Sequence, residues 1–133
     1  ANCHVKLSRN NIGSPLVTHP TVLVAMNRPS LEKFEGDVVD GGAIVWDSSL
    51  IDVEPQRKDI RNIPVPATKI AKDLGNSRVS NVVLLGVMAG FSDFLDPLVV
   101  QRVLPLIFKK KHLLEINLIA FQKGLELGRE LSD

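Results

Sequence analysis

Asn62-Ile63-Pro64-Val65-Pro66-Ala67-Thr68, followed by Ile70-Ala71, Leu74-Gly75-Asn76 and Asn81-Val82-Val83-Leu84-Leu85-Gly86, is the stretch on which the fold turns. Pro64 and Pro66 each remove a backbone donor and disfavour helix just before themselves. A strand over residues 60–65 therefore stops at the Pro-x-Pro step. Ile70, Ala71 and Leu74 then fall at helical spacing, and Gly75 ends that helix. After the Gly-Asn break, residues 79–91 are apolar nearly all round, with Gly86 and Gly90 four apart. That composition suits a helix packed tightly between other elements.

Upstream, residues 21–26 and 43–46 are short, nearly continuous apolar runs. Such runs read as strands of a parallel sheet buried on both faces. Between them Pro29 opens a short helix carrying Leu31 and Phe34, and Asp40-Gly41-Gly42 makes a turn. Residues 2–8 alternate, with Cys3, Val5 and Leu7 on one face, and predict a further strand. Cys3 itself reads as a small buried hydrophobe. Downstream, Asp96-Pro97 is a cap followed by proline at the first helical position, and a last helix runs from His112 to about Leu131. Strands alternating with helices give an α/β class with an open, mainly parallel, Rossmann-like sheet and helices on both faces. No boundary divides the 133 residues, so one domain is expected.

Composition narrows the function. The chain is 44% hydrophobic, which is globular rather than disordered. Its 16 Lys plus Arg against 15 Asp plus Glu lack the basic excess of a nucleic-acid binder. No run of about 18 apolar residues predicts a membrane span, and no leader pattern is evident at Ala1. The single cysteine forms no internal disulfide framework and cannot hold an iron–sulfur cluster. There is no Gly-x-Gly-x-x-Gly, no Gly-Lys-Ser/Thr loop and no nucleophile elbow. His4, His19 and His112 lie on separate elements without metal spacing.

The candidate site lies where parallel strands end, because α/β sheets bind ligands at that rim. Asn27 follows one apolar run directly, and Ser30 opens the helix after it. Ser48 and Ser49 follow the next run in the same way. Two readings stand side by side: anion contacts at helix starts, or ordinary capping and turn residues. Asn81 and Asn117, within apolar helical stretches, either bond a loop backbone in the core or reach a neighbouring subunit.

Taken in order, the segments resemble the γ subunit, or γ-type domain, of the 2-oxoacid:ferredoxin (acceptor) oxidoreductases. The likeness is carried by Asn2-Cys3-His4-Val5, Ile12-Gly13-Ser14-Pro15, the run Val22-Leu23-Val24-Ala25-Met26-Asn27 with Pro29-Ser30-Leu31, Gly41-Gly42-Ala43-Ile44-Val45, Asp47-Ser48-Ser49-Leu50-Ile51, the Pro-x-Pro step, and Leu113-Leu114-Glu115-Ile116-Asn117 with Ala120, Phe121 and Gly124. Family members carry a strand, a Gly-rich turn and a helix ahead of this point, so the resemblance implies an N-terminally incomplete γ-type domain.

The resemblance further implies a role in CoA-dependent oxidative decarboxylation of a 2-oxoacid, in the cytoplasm. Thiamine diphosphate, magnesium and iron–sulfur clusters are then expected in α, β and δ partner subunits, and ferredoxin or another carrier takes the electrons. CoA is the co-substrate engaged here, with Asn27, Ser30, Ser48 and Ser49 as its candidate contacts and no cofactor held tightly by this chain. The Lys109-Lys110-Lys111 run reads as a solvated helix terminus, or as a meeting place for a CoA phosphate or an acidic carrier. The apolar helix over 79–91 and the stripe Leu113, Ile116, Ala120 predict an exposed interface, so the isolated chain is expected to self-associate. The alternatives are a small Rossmann-type nucleotide-binding regulatory or scaffold domain and, disfavoured by the lack of a nucleophile–base pair, a stand-alone hydrolase or transferase.

Overall fold

The computed structural model describes residues 2–132. Its elements are β1 (Val22–Ala25), α1 (Arg28–Phe34), β2 (Ala43–Asp47), β3 (Arg61–Val65), α2 (Ala67–Asp73), α3 (Ser80–Phe91), α4 (Pro97–Ile107) and α5 (Lys111–Leu131). The strands form one sheet in the order β1-β2-β3. β1 and β2 run parallel, with Val22 opposite Ala43 and Ala25 opposite Trp46. Arg61 N donates to Gly42 O at 2.7 Å and Ser48 N donates to Val65 O at 2.9 Å, so β3 advances along β2 in the same direction. Every residue of β2 is buried, as a middle strand requires. The expected parallel sheet is present, each strand within a residue or so of its reading.

Residues 2–8 correct the sequence reading. They form no strand, and Val5 and Leu7 are 69% and 67% exposed. Cys3 is an exposed free thiol rather than a buried hydrophobe. Alternation yields a strand only where a neighbour takes the ladder bonds, and the described residues pair no strand with this segment. Its anchor is His4, whose Nδ1 accepts from Val17 N at 3.2 Å and whose ring stands edge-on to Phe34.

The chain divides into two compact units. The first comprises the residues up to Trp46 together with Ile51–Pro64. Its core is Ala25, Leu31, Val38, Ile44, Trp46 and Ile51. Trp46 Nε1 donates to Asn62 Oδ1 at 2.6 Å, which satisfies the indole's one donor. The loop after Ile51 is held by Arg57, whose Nη1 donates to the carbonyls of Glu35 (3.0 Å) and Val38 (2.8 Å). Gly41, at φ +77°, makes the left-handed turn into β2 that a side chain would oppose.

The second unit comprises Asp47–Leu50 and the chain from Val65 onward. Its centre is the pairing of α3 with α5. Gly86 and Gly90 of α3 face Gly124 and Gly128 of α5, and a Cβ at Gly90 would stand 2.6 Å from the Leu125 carbonyl oxygen. Only glycine lets the two backbones approach this closely. Val83, Val87, Ala120, Phe121 and Leu125 close the core around the contact.

The apolar surface of α3 expected at an interface is largely buried within the fold, while of the α5 stripe Ala120 is buried and Leu113 and Ile116 are half-buried. Asn117 is buried, but its Nδ2 donates to the Leu113 carbonyl one turn back at 2.8 Å rather than to a loop or a neighbour. Asn81 is exposed. The apolar surplus lies instead on α4. That helix is capped by Asp96, whose Oδ1 accepts from Leu98 N at 2.9 Å. It buries Val100 and Leu104 but exposes Leu98, Val99, Val103, Leu106 and Ile107.

Candidate functional site

At the end of β1, Asn27 is an N-cap. Its Oδ1 accepts from Ser30 N at 2.9 Å, and its carbonyl accepts from Leu31 N at 3.2 Å. Pro29 in the first turn needs no partner for a missing N–H. Both residues thus have a local capping function, and the amides of Ser30 and Leu31 are committed.

The end of β2 is built differently. Asp47, its last residue, is fully buried. A carboxylate taken out of water must be compensated by donors. Asp47 Oδ1 accepts from Ser49 N at 3.0 Å and Thr68 N at 3.3 Å, while Oδ2 accepts from the Thr68 hydroxyl at 2.5 Å. Ser49 Oγ in turn accepts from Lys69 N at 3.1 Å. The turn after β2 and the start of α2 are so stitched together around one carboxylate.

Beside this knot opens a cavity of about 430 Å³, walled by Ser48, Ser49, Thr68, Lys69, Lys72 and Asp73. It is an open surface depression, since Ser49, Lys69, Lys72 and Asp73 are all exposed. The charge is not evenly available. Lys69 Nζ lies 3.7 Å from Asp73 Oδ2, and Lys72, one turn along the same helix, forms no ion pair among the described residues. Hydroxyls and an ammonium around an open cavity suit an anionic oxygen ligand.

Of the residues singled out from sequence, Ser48 and Ser49 meet at the cavity. Asn27 and Ser30 meet each other at the cap of α1, in the other unit. No cluster of three or more His, Cys, Asp or Glu side chains suited to a metal occurs among the described residues. Asp47, Thr68, Lys69 and Lys72 were missed. The signals were an acidic residue closing an otherwise apolar strand, and two lysines three apart immediately after Thr68.

Residues 1–127 match the family model described as pyruvate ferredoxin/flavodoxin oxidoreductase. The chain belongs to this family. The oxidoreductase-family chain is 36% identical over 132 residues to the ketoisovalerate oxidoreductase subunit VorA of Methanothermobacter marburgensis, covering 98% of itself and 27% of that relative. It is 28% identical over 129 residues to the 2-oxoglutarate synthase subunit KorC of Methanocaldococcus jannaschii, covering 96% of itself and 68% of KorC. The chain thus spans about a quarter of the ketoisovalerate relative.

Among solved structures it resembles the 2-oxoglutarate:ferredoxin oxidoreductase of Magnetococcus marinus, determined with 2-oxoglutarate, coenzyme A and succinyl-CoA bound. The TM-score is 0.73 at 28% identity, over 83% of this chain and 20% of that one. It shares the fold of the keto/oxoacid ferredoxin oxidoreductase γ subunit from Geobacter sulfurreducens PCA, at a TM-score of 0.76 and 23% identity, over 83% of this chain and 64% of that one. The family likeness drawn from the sequence segments holds.

Proposed function

We propose that this chain is the γ-type unit, a single domain over residues 1–133, of a 2-oxoacid:ferredoxin (acceptor) oxidoreductase. It supports the CoA-dependent oxidative decarboxylation of a 2-oxoacid to an acyl-CoA and CO2, working in the cytoplasm. The family match over residues 1–127 carries the reading, and the fold likeness to an enzyme solved with CoA and succinyl-CoA supports it. Identity is higher to the ketoisovalerate subunit than to the 2-oxoglutarate one, so a branched-chain 2-oxoacid is the first substrate to assay.

The donor set decides what this chain can hold. One thiol, Cys3, does not supply the ligands of an iron–sulfur cluster. Clusters, thiamine diphosphate and magnesium are therefore assigned to α, β and δ partners, which supply carbanion stabilisation and one-electron transfer. The residues of this chain fit CoA better. In this reading the hydroxyls of Ser48 and Ser49 orient its phosphates, with Asn27 and Ser30 as further contacts. No helix among the described residues is long and apolar enough to cross a membrane. The exposed α4 face of Leu98, Val99, Val103, Leu106 and Ile107 is the surface for another subunit of the same oxidoreductase. In VorA, which extends well beyond the matched region, the remaining polypeptide is already attached.

The test is co-purification from the native source, with partners identified by mass and the preparation assayed for carrier reduction that requires both CoA and a 2-oxoacid. Recovery without any oxidoreductase subunit sinks the proposal. In the intact complex, Asn27→Ala and Ser48→Ala are expected to raise the KM for CoA about fivefold, the worth of one neutral hydrogen bond, and to leave that of the 2-oxoacid unchanged. An equal effect on both substrates returns these residues to capping and turn duty alone.

A further inference from the structure

We infer that the exposed face of α4 pairs with the same face of a second copy of this chain, the two helices running antiparallel about a two-fold axis. That the face meets a subunit at all rests on the γ-type reading above; the choice of a second copy rests on how charge is laid out along the helix.

The face comprises Leu98, Val99, Val103, Leu106 and Ile107, which are 61%, 50%, 40%, 72% and 62% exposed, with Phe94 exposed at its entry. At helical spacing these five positions cover one side of α4, away from Val100 and Leu104, which hold the helix to the fold. Arg102 lies exposed among them, and arginine is the cation in which interfaces are enriched.

The two ends of α4 carry opposite charge. Asp93 and Asp96 are exposed at its start, and Lys109, Lys110 and Lys111 at its end. Its 11 residues set these ends about 16 Å apart. A parallel copy would bring acid to acid and base to base. An antiparallel copy brings each acidic end to a basic one and opposes the helix dipoles. Such a pairing uses the same patch on both subunits and closes on itself.

The lysines give a second sign that carboxylates belong beside them. α5 opens on Lys110 and Lys111 and has no acidic residue in its first turn. Cations at a helix N-terminus oppose its dipole, and Glu115 comes no nearer to Lys111 than 4.0 Å. The local sequence thus carries a cost that Asp93 and Asp96 of a second copy offset.

The test is sedimentation velocity of the full chain over a concentration series, with circular dichroism to confirm folding. A reversible dimer is expected, weakened by high salt. Val103→Glu, at an exposed position, should weaken it about tenfold or more by placing an unpaired charge in the apolar contact; Leu106→Gln, more exposed still, is the second variant. Asp93→Lys reverses one end of the helix, and Lys109→Glu with Lys110→Glu reverses the other. Each should dimerise severalfold more weakly than the wild type. Mixed, the two should pair more tightly than either does alone, because the basic end of the first meets the acidic end of the second. A chain that stays monomeric, a dimer indifferent to Val103→Glu and Leu106→Gln, or charge variants that self-associate as tightly as the wild type each overturn the inference. A monomeric chain that still co-purifies with another oxidoreductase subunit leaves the γ-type reading standing and removes only the self-pairing; recovery without any such subunit sinks that reading whatever the chain's own association.

Discussion

The two units secure their polar backbone by opposite means. In the first, side chains at the rim reach over a loop: the half-buried Arg57 grips the carbonyls of Glu35 and Val38, and Asn27 caps α1 from the surface. In the second, the device is interior: a fully buried Asp47 gathers three donors, and glycines bring two helices into backbone contact. Surface devices leave groups that water can satisfy when they are removed. Interior devices leave buried groups with nothing. The same kind of substitution should therefore cost far more in the second unit than in the first.

The largest expected effect is at Gly124. A Cβ there would collide with the Val83 carbonyl oxygen, and backbone on both sides cannot yield. Alanine gains about 1 kcal/mol of helix propensity, but Gly124→Ala should still lose about 3 kcal/mol or more net, read by urea unfolding. Gly36 of the first unit has nothing within 4 Å of its would-be Cβ, and Gly36→Ala should be neutral or stabilise by about 0.5 kcal/mol. Comparable losses at both sites would break the contrast.

Next comes Asp47. Asp47→Ala strands the Thr68 amide and hydroxyl in a buried place, while water can reach the Ser49 amide, and should cost about 2 kcal/mol. Asp47→Asn keeps an oxygen for both amides, and its nitrogen can donate to Thr68 Oγ1, so less than half that loss is expected. If Asn costs as much as Ala, the carboxylate's charge matters more than its geometry. Asn27→Ala removes a surface cap and should cost about 1 kcal/mol.

The contrast also marks what the sequence could disclose. The strands were legible because short apolar runs such as Ala43 to Val45 are bounded by Gly, Pro and Asp turn residues, whereas the longer apolar run of α3 is not. The Pro-x-Pro step marked the end of β3 to within a residue, with Pro64 inside the strand and Pro66 just beyond it. Residues 2–8 were misread because alternation states only which residues share a face; the neighbour that would take the ladder bonds is not written in it. Helix α3 was read as an interface because its partner glycines, Gly124 and Gly128, lie some forty residues away on α5. At the site, Ser48 and Ser49 were found by the strand-end rule. Asp47, Lys69 and Lys72 were not, because their roles depend on Thr68 and Asp73 being brought to the same turn, a tertiary fact.

The smallest effect sharpens the comparison from the surface side. Arg57 donates to Asp59 twice, Nε to Oδ1 at 2.7 Å and Nη2 to Oδ2 at 2.6 Å. Those hydrogen bonds hold the Asp59 carboxyl well below the usual carboxylate range, and the same pairing raises Arg57. A carboxyl with a depressed folded pKa stabilises the fold only while it is ionised. Its contribution is fully present above the ordinary Asp value of about 4 and is lost as pH falls below that toward the folded value. Both groups are solvent-accessible, so the contribution is small and screened by salt. Wild type should exceed Asp59→Asn in stability slightly at pH 7, with the gap closing below pH 4 and narrowing in high salt. A gap that stays constant down to pH 2 would mean the ion pair is idle. Arg57 would then hold its loop through the Glu35 and Val38 carbonyls alone, and the first unit's clamp would be a matter of hydrogen-bond geometry rather than charge.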